Sequence, residues 1–253
     1  LPEILALSAV ELDLTNGNAP PGLSHPFGQD LKGRDLFARV IHGARLSLMI
    51  GLAATLVSCT IGTFWGAVAG FRGGKTDAIM MRIVDFLFGL PFMFVVIIVL
   101  SFSGRSVVLL FLVLGLIHWL TMARVIRAEV VLLKHREFVQ AARATGCSTW
   151  RILVRHILPN ISDTVIVYMT FTIPGVILEE AFLSFLGLGV PAPDASLGTL
   201  VREGIVTLSV HPWQLAFPAA FLLMIIFSVN ILARRIQHSL TAHSGMTSSG
   251  INH

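Results

Sequence analysis

The sequence predicts an all-α protein embedded in a membrane, and three observations carry that prediction. Hydrophobic residues make up 55% of the 253-residue chain and charged residues 13%, against roughly a quarter charged in soluble domains. Five apolar runs are each long enough to cross a bilayer, and the Lys and Arg residues gather at their ends, as membrane topology requires. A mean hydropathy of +0.81 leaves more apolar surface than a soluble fold of this length hides. The formal charge of +4 therefore follows from topology, and nucleic-acid binding is excluded.

Residues 1–24 carry Asn16-Gly17-Asn18 and Pro20-Pro21, a loop signature. The short apolar run Ile4, Leu5, Ala6, Leu7, Ala9, Val10 reads as the end of a further span upstream, and the natural chain is expected to start before Leu1. In His25–Asp35, HPFGQDLKGRD, Gly28 and Gly33 permit tight turns, while Asp30 and Asp35 can cap a helix or pair with Arg34 and Arg39. A separate amphipathic helix is expected from Asp35 to Gly43 at the membrane face. Between Arg45 and Arg72 lie 26 uncharged residues, which at about 1.5 Å each exceed the roughly 30 Å hydrocarbon core. Gly62, Gly66 and Gly70 recur every fourth residue there and predict a face for close helix packing.

The second span covers Ile79 to Phe102, with Arg82 and Asp85 expected to pair at i, i+3 and a kink expected at Pro91. The third covers Val107 to Ala123, with His118 read as hydrogen-bonded within the bundle. The fourth, Thr164 to Leu186, carries Pro174 and the adjacent carboxylates Glu179 and Glu180; carboxylates at membrane depth face protein or water. Gly187, Gly189, Pro191 and Pro193 predict a re-entrant turn, and 194–212 an outer loop. The fifth span, Trp213 to Ala233, ends at Arg234-Arg235. Placing the basic loop 124–160 inside puts twelve of the 18 Lys and Arg residues on that side, as the positive-inside rule demands.

That loop contains the most informative stretch, EFVQAARATGCSTWRILVRHILPN (Glu137 to Asn160). Phe138, Ala141, Ala142 and Thr145 share one helical face of mainly small residues, which lets another surface approach. Gly146 can end this helix, Ser148 or Thr149 can cap the next, and Pro159 should end or kink the second.

Gln140-Ala141-Ala142, Gly146 four residues later and Leu158-Pro159 twelve residues after Gly146 resemble the EAA loop of ABC-importer permeases. Gln140 replaces the usual Glu and His156 the usual Ile, and both departures resemble the dipeptide, oligopeptide and nickel branch, in particular the C-type permease of the pair. HPFGQD..GRD with Arg39 and GAR.SL, MRIVDFLFGLP, and EEAFLSFLGLG are similar to that branch at the corresponding places. Gln29 stands for its Thr, and Ala233-Arg234 for its Gly-Asp.

The resemblance implies a type I ABC-importer transmembrane fold with five spans present and one upstream span missing. It divides the chain into an extracytoplasmic segment (1–45), a permease domain (46–235) with a cytoplasmic coupling loop (124–160), and a cytoplasmic tail (236–253) expected to be disordered. Glu137, Phe138, Gln140, Ala141, Ala142, Arg143, Gly146, Leu158 and Pro159 are the implied ATPase-coupling residues. Asp30, Arg34, Asp35, Glu179 and Glu180 are candidates for binding-protein or outer-gate contact. The implied partners are a second homologous permease, two ATPase subunits carrying ATP and Mg, an extracytoplasmic substrate-binding protein and the lipid bilayer of a bacterial or archaeal cell (inner) membrane.

The sequence holds no glycine-rich phosphate loop ending in Lys-Ser/Thr, no zinc-site His spacing and no nucleophile placed with a base, so it predicts no catalytic, cofactor or metal site. The leading function is half of the translocation pathway for di- and oligopeptides. Nickel or a metal chelate is the alternative cargo. A membrane scaffold, and an intramembrane enzyme using Glu179, Glu180 or His118, are the readings from other classes.

Overall fold

The computed structural model describes residues 17–104 and 106–249, with side chains as far as Leu240. The apolar run 4–10, expected to end an upstream span, lies outside the described residues. Among the described residues the regular structure is helical, apart from one isolated bridge between Gln29 and Asp35.

Helix α1 (Leu36–Arg72) begins where Asp35 Oδ1 accepts the Ala38 N–H at 2.7 Å, an N-cap bond to the third helical residue. No proline interrupts the chain from there to Arg72, so the separate surface helix expected over 35–43 does not form; those residues are the first turns of α1. Gly73 and Gly74, with φ of 67° and 56°, turn the chain into α2 (Gly74–Phe88), and α3 (Phe92–Ser103) comes after a bend of 78°. The kink expected at Pro91 is thus a full break. The Gly89 amide turns back onto the Asp85 and Phe86 carbonyls and closes α2, and Pro91, lacking an N–H, stands where α3 starts.

Helix α4 (Val107–Leu133) runs ten residues beyond the predicted span and takes Arg124 and Arg127 into its last turns. Then come α5 (Glu137–Ala144), α6 (Thr149–Ile152), α7 (Ser162–Phe185), α8 (Leu197–Val206) and α9 (Trp213–Ser249). Helix α8 lies inside the expected outer loop, started by Ser196, whose Oγ accepts the Thr199 N–H. Helix α9 continues past Arg235 to Ser249, where the sequence predicts a disordered tail from 236. Residues 236–244 contain neither Gly nor Pro, so nothing there stops a helix already under way. Among the described residues, four helices are long and apolar enough to cross a membrane, and the bent α2–α3 pair makes a fifth if counted as one span.

The chain divides into two compact units. One takes the residues up to Ala53 with Ile97–Leu114 and Pro174–Val229. Its core gathers Leu36, Val40, Ala44, Ala195, Leu197 and Leu200, with Phe27 stacked on Phe217 at 4.1 Å. The other takes Ala54–Val96, Gly115–Ile173 and the chain from Asn230. Here α1 and α4 meet backbone to backbone. A Cβ built on Gly62, Gly66, Gly70 or Gly115 would come within 3.0 Å of the facing helix. The face predicted from the glycine spacing is therefore a packing seam, and Met122, Ile126 and Val130 close over it with Ala67 and Phe71.

Gly66→Leu should lower stability by about 1–3 kcal/mol or prevent accumulation, because its side chain meets the Ala123 carbonyl and Arg127 amide rather than flexible side-chain ends. Gly175→Ala, at a position with nothing within 4 Å, should be near neutral. Thermal unfolding of the two purified variants in detergent checks the contrast.

Candidate functional site

Helix α5 is eight residues long and splits its residues cleanly. Val139 and Ala142 are buried, whereas Glu137, Phe138, Gln140, Ala141, Arg143 and the following Thr145 are exposed. Ala142 is thus a packing residue, not part of an open face; with Val139 it joins Ile152, Leu153, Ile157 and Ile161 against Phe71, Met122, Ile126 and Val130. Helical spacing puts Ala142 beside Phe138 and Ala141 on a docking face; the core on which α5 rests decides otherwise.

The helix ends as its composition predicts. Gly146 has φ 77°, its amide donates to Arg143 O at 3.0 Å, and the Cys147 amide reaches Ala142 O at 3.1 Å, closing the last turn around a left-handed glycine. Nothing lies within 4 Å of a Cβ built on Gly146, so conformation, not space, selects glycine there. Of the two candidate caps for α6, Ser148 is used, its Oγ accepting the Arg151 N–H.

Pro159 disturbs the second helix as its ring chemistry predicts, and the run closes one residue later, at Asn160. The chain widens into a π turn (Leu153–Ile157), closed by the Leu158 amide on Leu153 O, and passes through one more turn (Leu158–Asn160). The wider turn relieves the clash of the proline ring with the carbonyl four residues earlier. Leu158 packs against the core while Pro159 is exposed. Gln140 Nε2 donates to His135 O at 3.1 Å, and the Arg143 guanidinium lies 5.3 Å from the Phe71 ring centroid.

The second group of candidates lies in the other unit and turns inward. Asp30 is 5% exposed and accepts from the amides of Lys32 and Arg34, from Arg34 Nε at 2.7 Å and from Arg39 Nη1 at 2.6 Å. Arg39 also reaches Glu203. Asp35 caps α1 and holds His25 Nδ1 at 2.8 Å. A pocket of about 170 Å³ opens beside this network, with Leu31, Lys32, Glu203 and Val206 around it. Glu180 is fully buried; Ser184 Oγ donates to it at 2.6 Å and Ser47 Oγ at 3.0 Å. Ser47 Oγ in turn accepts the Leu197 amide, and Ser196 Oγ donates to Ser184. Glu180 therefore ties α8 and α1 to α7 and offers no surface to a partner; Glu179 is partly exposed.

Residues that sequence reasoning did not pair are joined near α5. Asp77 on α2 accepts a two-bond fork from Arg127, and Lys134 Nζ donates to Gly70 O at 2.9 Å. Asp85, matched with Arg82 by spacing, accepts from Arg124 on α4 at 2.8 Å. The one legible signal was an acid at the start of an apolar run, which calls for a cation without naming it.

Residues 62–242 match the family described as "Binding-protein-dependent transport system inner membrane component". The oligopeptide transport system permease protein OppC of Bacillus subtilis (strain 168) is 42% identical over 228 residues, covering 90% of this chain and 75% of that protein. The dipeptide transport system permease protein DppC of the same organism is 43% identical over 234 residues (92% and 73%). OppC of Escherichia coli (strain K12) is 44% identical over 216 residues (85% and 72%). Among solved structures, an inward-facing MetNI methionine ABC transporter chain aligns with TM-score 0.63 at 15% identity, covering 79% of this chain and 94% of that one. A fold shared with ABC-importer transmembrane subunits, a family match across most of the sequence and relatives above 40% identity lead to one conclusion: the chain belongs to the binding-protein-dependent transport system inner membrane component family, as a multi-pass permease subunit of an ABC importer.

Proposed function

We propose that this chain forms half of the translocation pathway of an ATP-driven importer of di- and oligopeptides, with α5 as the lever on which the ATPase acts. The observation that carries the mechanism is the division of this segment into an exposed row, Phe138, Ala141 and Thr145, and a buried pair, Val139 and Ala142, set in one core with α1 and α4. The small side chains of Ala141 and Thr145 beside Phe138 let a partner surface approach closely, and the buried pair makes a push on α5 a push on the membrane helices. ATP and Mg are held by two ATPase subunits in this reading, and a second, related permease completes the pathway. The segment 124–160 then faces the cytoplasm, as the distribution of Lys and Arg supports.

The relatives named for oligopeptide and dipeptide transport support peptides as cargo. The substrate-binding protein would dock from the extracytoplasmic side. Because Asp30, Arg34 and Glu203 are spent on internal ion pairs and Asp35 on the α1 cap and His25, the residues offered to it there are Leu31, Lys32 and Val206.

Three outcomes test this. In the complete assembly reconstituted in lipid, binding protein presented with dialanine or trialanine should raise ATP hydrolysis, and binding protein presented with a nickel–histidine chelate should not; the reverse pattern would name a metal-chelate importer. Ala141→Trp should leave the protein inserted yet reduce uptake about tenfold to hundredfold relative to hydrolysis, the equivalent of roughly 1–3 kcal/mol of steric mismatch at the docking face. Ala142→Trp should instead destabilise the protein itself. Lys32→Glu should weaken stimulation by the binding protein at low salt, and the difference should shrink as salt is raised, since rim charges act chiefly through screened attraction.

A further inference from the structure

We propose that Asp77, Arg127 and Lys134 are positioning residues that carry movement of the α5 lever into α2, so that the first half of the broken α2–α3 span moves with the lever as one body. The proposal rests on the docking reading of α5.

Three anchors make the case. Arg127 Nε and Nη2 donate to Asp77 Oδ1 and Oδ2 at 2.7 and 2.6 Å, a parallel fork that fixes both distance and orientation, as a single lysine bond would not. Ten residues before α5, Arg127 sits on the same helix that leads into the lever. Lys134, three residues before α5, donates to Gly70 O in the last turn of α1, satisfying a carbonyl that the helix end leaves open. Those two bonds bracket the Gly73-Gly74 turn, the joint between α1 and α2, whose positive φ values would otherwise make it a natural hinge. Further along α2, Val84 is buried with Trp119, Leu120 and Ala123 of α4, Trp65 Nε1 donates to Met80 O at 3.2 Å, and Arg124 both pairs with Asp85 and lies over Phe88 at 4.2 Å.

A charged fork is a costly way to join two helices that also meet through apolar side chains. Leu or Ile would pack there without the desolvation that even a part-buried pair incurs. The fork adds direction: it resists rotation and sliding of α2 against α4, whereas a purely apolar contact tolerates sliding. Resistance to sliding is what a lever needs at its joint, and α2 leads directly to the 78° break at Gly89-Leu90-Pro91. With the fork in place the break, not the Gly73-Gly74 turn, is where the span yields.

Two measurements on the complete assembly test this. Spin labels at Ala78 on α2 and Ala144 on α5, in a background with Cys59 and Cys147 replaced by Ser, should report one distance in the nucleotide-free and the ATP–vanadate-trapped assembly; in Asp77→Asn the distribution should broaden or shift on trapping. Asp77→Asn and Arg127→Gln should each lower trialanine uptake per ATP hydrolysed about tenfold, in the range of ordinary coupling energies, and the exchanged pair Asp77→Arg/Arg127→Asp should recover part of it. A distance that changes on trapping with Asp77 intact, or Asp77→Asn transporting with native economy, overturns the proposal. If Ala141→Trp also leaves hydrolysis and uptake coupled, the docking reading falls with it; if Ala141→Trp uncouples them and Asp77→Asn does not, only this proposal falls.

Discussion

Backbone contact between α1 and α4 is the constraint on which the unit holding residues 137–160 depends. Lipid tails are as apolar as leucine, so two membrane helices gain little from hiding apolar side chains and associate through close van der Waals packing. Gly62, Gly66, Gly70 and Gly115 supply that closeness by leaving no Cβ in the way. Once the two backbones meet, the positions of Met122, Ile126 and Val130 follow, and they form the floor on which Val139, Ala142, Ile152 and Ile157 rest. Residues 137–160 are thereby held to the seam by packing rather than by flexible chain.

Charges in this protein are placed where each has a defined answer. A carboxylate or guanidinium taken out of water is tolerable only with its hydrogen-bonding capacity met. Glu180 meets it with the hydroxyls of Ser47 on α1 and Ser184 on its own helix, Arg39 with Asp30 and Glu203, and Asp77 with the fork of Arg127. Each of these sets ties together elements far apart in sequence. Hydroxyl partners suit a fixed joint such as that between α8 and α7, because they are short and leave little freedom. Arginine forks suit longer spans between helices, where both orientation and reach matter.

The 137–160 segment shows how a local sequence rule and its tertiary setting can disagree without either being wrong. Glycine at 146 and serine at 148 behave as their chemistry requires, since a positive φ and a free hydroxyl are local properties. Pro159 has the expected local effect, a disturbed helix, yet the chain responds with a π turn and continues. The same contrast appears at Pro91, where the chain turns away completely between Phe88 and Phe92.

The sequence by itself determined the membrane class, the number of apolar runs, the packing role of the glycines at 62, 66 and 70, and the location and turn chemistry of the 137–160 segment. These depend on composition, periodicity and the conformational limits of single residues, all of which act over a few positions. Only the tertiary structure decided that Ala142 faces the core and Ala141 the solvent, that Asp30, Arg34 and Glu180 are spent on internal partners, and that Asp77 belongs to Arg127. A helix of small residues carries little signal about which face is buried, and a charge in a sequence announces a need for a partner whose identity lies 50 or 133 positions away. Chain connectivity cannot specify such pairings; they appear when the helices pack.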